Sequence, residues 1–575
     1  MANTELVQAF ERIADLLEIT GADRFRINSY RRAARTIKDT TEDLAILMEE
    51  GRLGELAGIG KSTIAKIEQF LNDGRIDLLV ELSEKLPPGL PDLLEVPSLG
   101  PKKVALLYQE LKIGSLADLK DAVAAGRLAE LPGFGKTSAQ RVADGIALLE
   151  ASAGRTPLGI AVPAAQALAE GVASVQEVSQ VSVAGSLRRG AETVGDIDLV
   201  CASDAGQEVV QAFVSLPQVK RVLGSGTTKG SVTVAAPRGG ELRAQLRVVP
   251  AESYGAALQY FTGSKEHNVR LRELAGRKKW KLNEWGLFSG EERIAGPDEA
   301  EIYRKLGLPW IPPELREDRS EFAVGFDPSG LVTREHLRGD LHMHTVASDG
   351  RNTIEEMARA AKDLGYEYIA ITDHSRSSAI ANGLSAERLE QHITDVRAAG
   401  SRIRGITLLA GTECDILASG SLDYPDSLLA ECDFVVASVH SAMLGGRTPP
   451  TKRTLMAMEN RYVTAIGHPT GRLLNQRAPM DLDMTAVVAA AAETGTALEI
   501  NASWQRLDLK DLHIRQALEA GAMLTISTDA HSTDGLSLIH FGVTTARRGA
   551  CPPDRVINTR PLAELREWIG RKRTA

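Results

Sequence analysis

The sequence predicts a multidomain α/β chain with a helical N-terminal region, a central α/β portion, and a C-terminal barrel of parallel strands around a multinuclear metal site. Three observations predict it. Short glycine-turn segments recur three times before residue 150, each running into an amphipathic stretch. Around residue 190, two strand-like runs flank a Gly-Ser turn, and the second run carries two carboxylates two residues apart. Ten of the eleven histidines lie beyond residue 334, and six of those sit in short motifs at the ends of apolar runs.

The glycine segments read LAGIGKSTIAKI (56–67), VPSLGPKKVALL (96–107) and LPGFGKTSAQRV (131–142). Gly58 and Gly60, Gly100, and Gly133 and Gly135 stand at the turns, with Lys61, Lys102 and Lys136 just after them. Glycine allows positive φ and close approach of a phosphate, while unpaired amides at the helix start and a nearby lysine attract it. Ser98 stands where the other copies have glycine, so the second turn should bind less well. The three segments resemble helix-hairpin-helix motifs, which implies contact with a DNA backbone. For any single copy the alternative is a plain glycine turn in a helical bundle. Upstream, ADRFRINSYRRAARTI (22–37) gathers Arg24, Arg26, Arg31, Arg32 and Arg35, with Phe25 and Tyr30 interleaved. Such a run is commonly a solvated helix face, and beside DNA-binding hairpins it reads as a basic one.

In VSVAGSLRRGAETVGDIDLV (181–200), Asp196 and Asp198 fall on one face of an extended strand and can share a divalent ion. With Gly185-Ser186 and Arg188-Arg189, the run resembles the palm of family X DNA polymerases and their nucleotidyltransferase superfamily. The resemblance implies Mg²⁺ or Mn²⁺ on the two carboxylates and a dNTP whose triphosphate is held at Gly185, Ser186 and Arg189. Farther on, YFTGSKEHNVRLR (260–272) and LNEWG (282–286) resemble that family's thumb. There Tyr260 and Phe261 would wall the sugar pocket, Gly263 would leave the nucleotide room, and Asn268 and Arg272 would reach the minor groove.

One position departs from the family. Its third metal-binding carboxylate lies on a strand reading R-x-D-hydrophobic-R, and here LRAQLRVVP (242–250) has Gln245 at that place. An amide offers a neutral oxygen but cannot take the primer hydroxyl's proton, and losing a positioned base typically costs about 10²- to 10⁴-fold in rate. Synthesis is therefore expected to be impaired while binding survives. In the family's lyase domain, a lysine on the helix after the first hairpin attacks the aldehyde of an abasic sugar. That place is Lys66 here, with Ser62 where a second lysine would stand. A solvated or phosphate-contacting lysine is the alternative.

The histidine motifs are DLHMHTVASDG (340–350), AITDHS (370–375), LLAGTECDI (408–416), VVASVH (435–440), TAIGHP (464–469) and TISTDAH (525–531). They supply His342, His344, Asp349, His374, Glu413, His440, His468, Asp529 and His531. Imidazole and carboxylate suit borderline and hard divalent metals, and these ligands exceed what one tetrahedral ion uses, implying roughly two or three ions. The apolar runs end near His344, His374, Glu413, His440, His468, Asn501 and His531, 27 to 39 residues apart, with helix-like stretches such as NTIEEMARAAKDLG between them. Seven strand-helix units predict a barrel of parallel strands, whose C-terminal rim collects catalytic groups. The motifs resemble the PHP (polymerase and histidinol phosphatase) phosphoesterase family over residues 335–575, with every ligand position matched. That resemblance implies a distorted seven-stranded barrel, about three Mn²⁺ or Zn²⁺ ions, and hydrolysis of a phosphate ester without a protein nucleophile.

Hydrophobic residues at 43% and charged ones at 25% are ordinary for a globular chain and exclude a disordered or fibrous one. No apolar run approaches a membrane span, and the N-terminus is amphipathic and acidic, so a soluble cytoplasmic protein is expected. Cys201, Cys414, Cys432 and Cys551 form no close-spaced pair, which argues against a disulfide framework or a zinc ribbon. A net charge of −9 argues against a broad polyanion-binding surface, so DNA contacts must be local. In chain order the parts resemble the bacterial PolX family: a lyase-like helical domain (1–80), helix-hairpin-helix fingers (81–150), palm (151–250), thumb (251–310), a proline-rich charged linker (311–334) and the PHP domain (335–575). The implied protein is a monomeric DNA-repair enzyme that trims 3' ends of gapped, nicked or primer-template DNA. A DNA-binding scaffold with a degenerate polymerase, and a phosphatase or abasic-site endonuclease, are the alternatives.

Overall fold

In the helix Ala2–Ile19, Leu6, Phe10, Ile13, Ala14 and Leu17 recur every one to four residues on one face, and all are buried. They share a core with Ile27, Tyr30 and Ile37 of the helix Arg24–Asp39 and with Ile67 of Lys61–Asp73. A second core gathers Leu93, Val104, Leu107, Leu119, Leu128 and Val142. The computed structural model describes residues 2–40, 44–56, 58–132, 134–152, 154–235, 240–323, 325–443 and 448–574, so Gly133 of the third hairpin lies outside the described residues. Met1–Gly154 make up most of one compact unit, and the central and C-terminal parts make up a second. Among the described residues no helix is long and apolar enough to cross a membrane.

The central part holds a five-stranded sheet in the order Gln180–Val183, Asp196–Ala202, Glu241–Val249, Lys229–Ala235, Val219–Ser225. Asp196–Ala202 and Glu241–Val249 run parallel, with Asp196 level with Arg243 and Asp198 level with Gln245. Ile197 and Leu199 are buried on one side, and period two leaves Asp196 and Asp198 half-buried on the other.

The seven predicted barrel strands are Gly339–Asp340, Tyr368–Ile371, Thr407–Asp415, Phe434–Ser438, Ala465–Ile466, Ala497–Asn501 and Leu524–Ser527. They pair in chain order, every neighbouring pair parallel. Beyond the last strand the ring closes: His344 N donates to Ala530 O (2.8 Å) and Asp529 N donates to His342 O (2.9 Å). The outer file of residues, including Ile369, Ile371, Leu408, Ala410, Val435 and Ala437, packs in one large core with the surrounding helices. The alternate file, Tyr368, Ala370, Leu409, Phe434 and Val436, forms a separate core with Leu565 and Ile569 of the C-terminal helix Leu562–Thr574. Burial on both faces explains why these strands read as unbroken apolar runs. Counting by twos along the second file leads from Ala370 to His374, from Leu409 to Glu413 and from Val436 to His440. One face of the ring thus turns from apolar side chains to imidazole and carboxylate at its C-terminal rim.

The segment 311–334, expected to be a proline-rich charged linker, buries Ile311, Leu315, Arg316, Glu321 and Leu331. Arg316 is fully buried, 2.7 Å from Glu299 Oε1, donates through Nε to Ile311 O (2.9 Å), and lies over the Tyr303 ring. Ile311, Leu315 and Leu331 share a core with Ile302 and Tyr303. Buried Glu321 meets His267 Nδ1 at 3.0 Å and accepts the backbone amides of Asp318, Arg319 and Ser320. Arg316 and Glu321 are thus charged groups of the segment that meet partners inside the fold. All four cysteines are buried free thiols, and burial pushes each up to about 12.

Candidate metal centre and polymerase palm

Glu413, on the strand Thr407–Asp415, is the hub of the barrel rim. Its Oε2 lies 3.4 Å from His342 Nε2, 3.6 Å from His344 Nε2 and 2.8 Å from His374 Nδ1, while Oε1 lies 2.9 Å from His468 Nε2 and 3.3 Å from His440 Nε2. Asp529 Oδ1 stands 3.1 Å from His344 Nε2 and 3.7 Å from His342 Nε2. Asp349 Oδ1 stands 3.6 Å from His374 Nε2 and 3.4 Å from His531 Nε2. The nine predicted side chains therefore meet at one place, in and beneath a cleft of about 480 Å³.

The donors of eight of the nine, all but His468, fall into groups that fit divalent ions. Three overlapping groups, His344/Asp349/His374/His531, His342/His344/Asp529 and His374/Glu413/His440, each keep one donor atom per residue within 4.8 Å of the others. His342 Nε2, His374 Nδ1 and Glu413 Oε2 are buried without an aligned hydrogen-bond partner, a costly arrangement that a cation relieves. Burial pushes Glu413 and Asp529 up, but the surrounding histidines outweigh it and hold both well below the carboxylate range. Burial opposes charge on His440 too, yet Glu413 and Asp415 hold it up at about 10. His531 is likewise held at about 9 against burial, by Asp349 and Asp529, whereas burial and its neighbours His531 and His374 drive His344 down to about 4. Protons stored on such histidines leave when a metal binds. Asp529 (φ +55°) and His468 (φ +28°) take left-handed backbone conformations, a strain that side chains accept mainly at functional sites.

Sequence reading missed the groups that orient these ligands. His342 Nδ1 is 2.7 Å from Glu499 Oε1, and His440 Nδ1 is 2.8 Å from Asp415 Oδ1. Glu499 Oε2 accepts the His468 amide (2.6 Å), and Asn501 Nδ2 donates to Asp529 Oδ2 (3.1 Å). Such partners fix the tautomer and orientation of a ligating imidazole. Their sequence signal is period two: Asp415 follows Glu413, and Glu499 precedes Asn501, by one repeat on the same face.

In the palm, Gly185 has φ +63°, and a Cβ there would stand 2.4 Å from Asp198 Oδ2, so glycine is what lets the carboxylate sit. Burial, then the neighbouring Asp196, pushes Asp198 up to about 6. Gln245 Nε2 donates to Asp196 Oδ2 at 3.3 Å. The expected Gly185-Ser186 turn is the start of a short helix, Gly185–Arg188, with Ser186 half-buried. Arg189 is held by protein acceptors: Nη1 donates to Thr262 O (2.6 Å) and Nε to Glu317 Oε1 (3.1 Å). Gly263 has φ +69° and lies against the Arg189 guanidinium. Tyr260 and Phe261 meet edge to face at 5.2 Å, Asn268 Nδ2 donates to Tyr260 O (2.7 Å), and Arg272 is exposed.

In the hairpins, Gly60 and Gly100 cap the helices Lys61–Asp73 and Pro101–Leu111 in extended conformation, and the positive φ falls two residues earlier, at Gly58 (+84°) and Ser98 (+74°). A serine in that region costs roughly 1 to 2 kcal/mol. Gly135 (φ +56°) opens the helix Gly135–Ser152, and Lys61, Lys102 and Lys136 are exposed. The Arg24–Arg35 run is not uniformly solvated, because Arg31 pairs with Glu18 (2.5 Å) and Asp15 (3.4 Å). Lys66 Nζ donates to Ser62 O and Oγ, both at 3.0 Å, lies 5.8 Å from the Tyr30 ring centroid, and borders a cavity of about 340 Å³.

Comparison with known proteins agrees with this layout. Residues 1–76 match the helix-hairpin-helix domain, 90–147 the SAM-like helix-hairpin-helix tandem, 257–317 the DNA polymerase beta thumb and 340–503 the PHP domain. The chain is 38% identical over 573 residues to DNA polymerase/3'-5' exonuclease PolX of Bacillus subtilis (strain 168), covering 99% of this chain and 100% of that protein. Probable phosphatases of Thermoanaerobacter sp. (strain X514) and Acetivibrio thermocellus are 29% and 30% identical, each over 41% of this chain and 95% of its relative. Identity along the full length, together with hairpins, thumb and PHP barrel in this order, shows that the chain belongs to the PolX family of DNA polymerase/3'-5' exonucleases.

Proposed function

We propose that the barrel hydrolyses DNA phosphodiesters from the 3' end with about three Mn²⁺ or Zn²⁺ ions, while the polymerase half grips gapped or nicked DNA and synthesises poorly. The observation that carries the reading is the convergence of five histidines on Glu413. His342, His344, His374, His440, His468 and His531 with Asp349, Glu413 and Asp529 would hold the ions. When bound, such ions make water a nucleophile near neutral pH and neutralise phosphate charge. Glu413 reaches donors of both the His342/His344 side and the His440/His468 side and so spaces them, while Glu499 and Asp415 keep His342 and His440 in the ligating tautomer. In the palm, Asp196 and Asp198 would still bind Mg²⁺ or Mn²⁺ with dNTP, but Gln245 offers no base. The enzyme is read as a cytoplasmic monomer with the domain limits given above.

The test is a nuclease assay on gapped DNA with a 5'-labelled primer and a Mn²⁺ titration. Shortening in the 3' to 5' direction is expected, with loss in His342→Ala, His440→Ala and Asp529→Ala. Unchanged rates in all three folded variants would sink the assignment. The cavity at Lys66 favours a second activity, attack on an abasic sugar, which borohydride trapping of abasic DNA would detect and Lys66→Ala would abolish.

A further inference from the structure

One cation in the metal cleft belongs to none of the ligand groups. Arg506, on the loop after the strand Ala497–Asn501, lines the cleft together with His468, Asp529 and His531. Its side chain is 17% exposed, its Nε stands 3.5 Å from Asp529 Oδ2, and its Nη1 is buried without a hydrogen-bond partner. Arginine keeps its charge at any relevant pH, so this unmet donor cannot be relieved by deprotonation. An unsatisfied buried donor of this kind carries a desolvation cost that only an acceptor offsets.

The loop holds the guanidinium there. Ser503 N donates to Asn501 Oδ1 (3.1 Å), Arg506 N donates to Ser503 O (2.8 Å), and Arg472 Nε donates to Arg506 O (2.9 Å). The next residue, Leu507, is fully buried with φ +43°. A side chain on a loop braced in this way is placed; of the carboxylates that feel its charge, Asp529 is already engaged by His344 and Asn501, and buried Asp508 accepts the Thr470 amide (3.0 Å). Neutralising Asp529 therefore does not account for Arg506.

We propose that Arg506 is a catalytic residue of the barrel that donates hydrogen bonds to a non-bridging oxygen of the scissile phosphate. The proposal rests on the phosphodiesterase reading above. As water adds to phosphorus it gives one proton to solvent, the bond to the leaving oxygen breaks, and that oxygen takes a proton from solvent; charge grows meanwhile on the non-bridging oxygens, and Arg506 gives up no proton. A fixed cation in a partly dry cleft stabilises that charge without reorganising, and the guanidinium fork suits phosphate better than an ammonium does.

The experiment compares full-length wild type with Arg506→Lys and Arg506→Gln in three measurements: Mn²⁺ bound per chain, calorimetric titration of the Mn²⁺-loaded protein with inorganic phosphate, and primer hydrolysis. Metal content should be unchanged. Phosphate affinity should fall about tenfold or more in the Gln variant and less in the Lys variant, and kcat should fall about 10²-fold. Unchanged phosphate affinity and kcat in both variants would overturn the proposal, as would loss of Mn²⁺ in both, which would make Arg506 a prop for Asp529. Should the Gln variant fail to fold, the Lys variant decides. Wild-type protein that binds phosphate through Arg506 yet cleaves no DNA refutes the phosphodiesterase reading and leaves the anion contact standing.

Discussion

Gln245 Nε2 donates to Asp196 Oδ2 at 3.3 Å from the strand position level with Asp198. The Gln245 side chain thus presents a donor to a carboxylate that a divalent ion would need under the reading proposed above. A neutral amide adds no negative charge beside Asp196 and takes no proton from a primer hydroxyl.

Gln245→Asp should therefore raise nucleotide incorporation on a gapped primer by about 10²-fold or more, the usual value of a positioned base. The measurement needs a His440→Ala background, so that trimming does not mask synthesis. Robust synthesis by the unmodified protein would show that water or substrate accepts the proton. No gain in the Asp variant would point to other palm positions, Arg189 first, since Thr262 O and Glu317 already hold its guanidinium.

The barrel and the side chains that converge at its rim were legible because the strands end in chemically distinctive residues and the repeat is regular. The placing of Gln245 beside Asp196 and Asp198 was legible in the same way, from its position in a short strand motif. Asp415 and Glu499 were not, since a carboxylate in an apolar strand gives no sign of which imidazole it will meet across the barrel. The burial of Arg316 and Glu321 in the segment 311–334 was not legible, because their partners Glu299 and His267 lie elsewhere in the sequence. Arg189 is a similar case: its partner Glu317 lies 128 residues away. Composition and local pattern carry periodicity well and long-range pairing poorly.

Asp415→Asn tests the outer support of the metal centre. The His440 Nδ1 contact at 2.8 Å would change from a carboxylate to an amide, weakening its hold on the ligating tautomer. Mn²⁺ affinity, read by competition with a chelator, should fall about 10- to 100-fold. Equal affinity in the variant and the parent would mean that the pair is incidental.

Exposed Lys61, Lys102 and Lys136 are the groups through which the hairpins would hold phosphates. Replacing all three by alanine should weaken DNA binding without regard to sequence and lower the slope of log K against log salt by roughly 0.9 for each phosphate no longer neutralised. A salt titration by fluorescence anisotropy reads both. If affinity and slope match the parent, the hairpins serve only to fold the helical unit. The copy with Ser98 should contribute least, which single variants at Lys61 and Lys102 would reveal.

Glu299 is paired with Arg188 and Arg316 at 2.7 Å each. Burial pushes its carboxyl up, but Arg188 and Arg316 outweigh that and hold it at about 2 against an ordinary 4.5. A carboxylate held down in the fold stabilises it above pH 4.5, and the contribution is lost as pH falls from 4.5 toward 2. The amount is roughly 3 kcal/mol from the size of the shift. Urea unfolding at a series of pH values, followed by tryptophan fluorescence, should show this slope in the parent, with Trp310 a local reporter because its Nε1 donates to Glu299 Oε2 at 3.0 Å. Glu299→Gln should be less stable at neutral pH by about 3 to 5 kcal/mol, because Arg316 remains buried with its charge unmatched. Below pH 4.5 the two curves should converge, since the variant has no carboxylate left to protonate. Parallel curves across that range would show that Glu299 is not what the acid titrates.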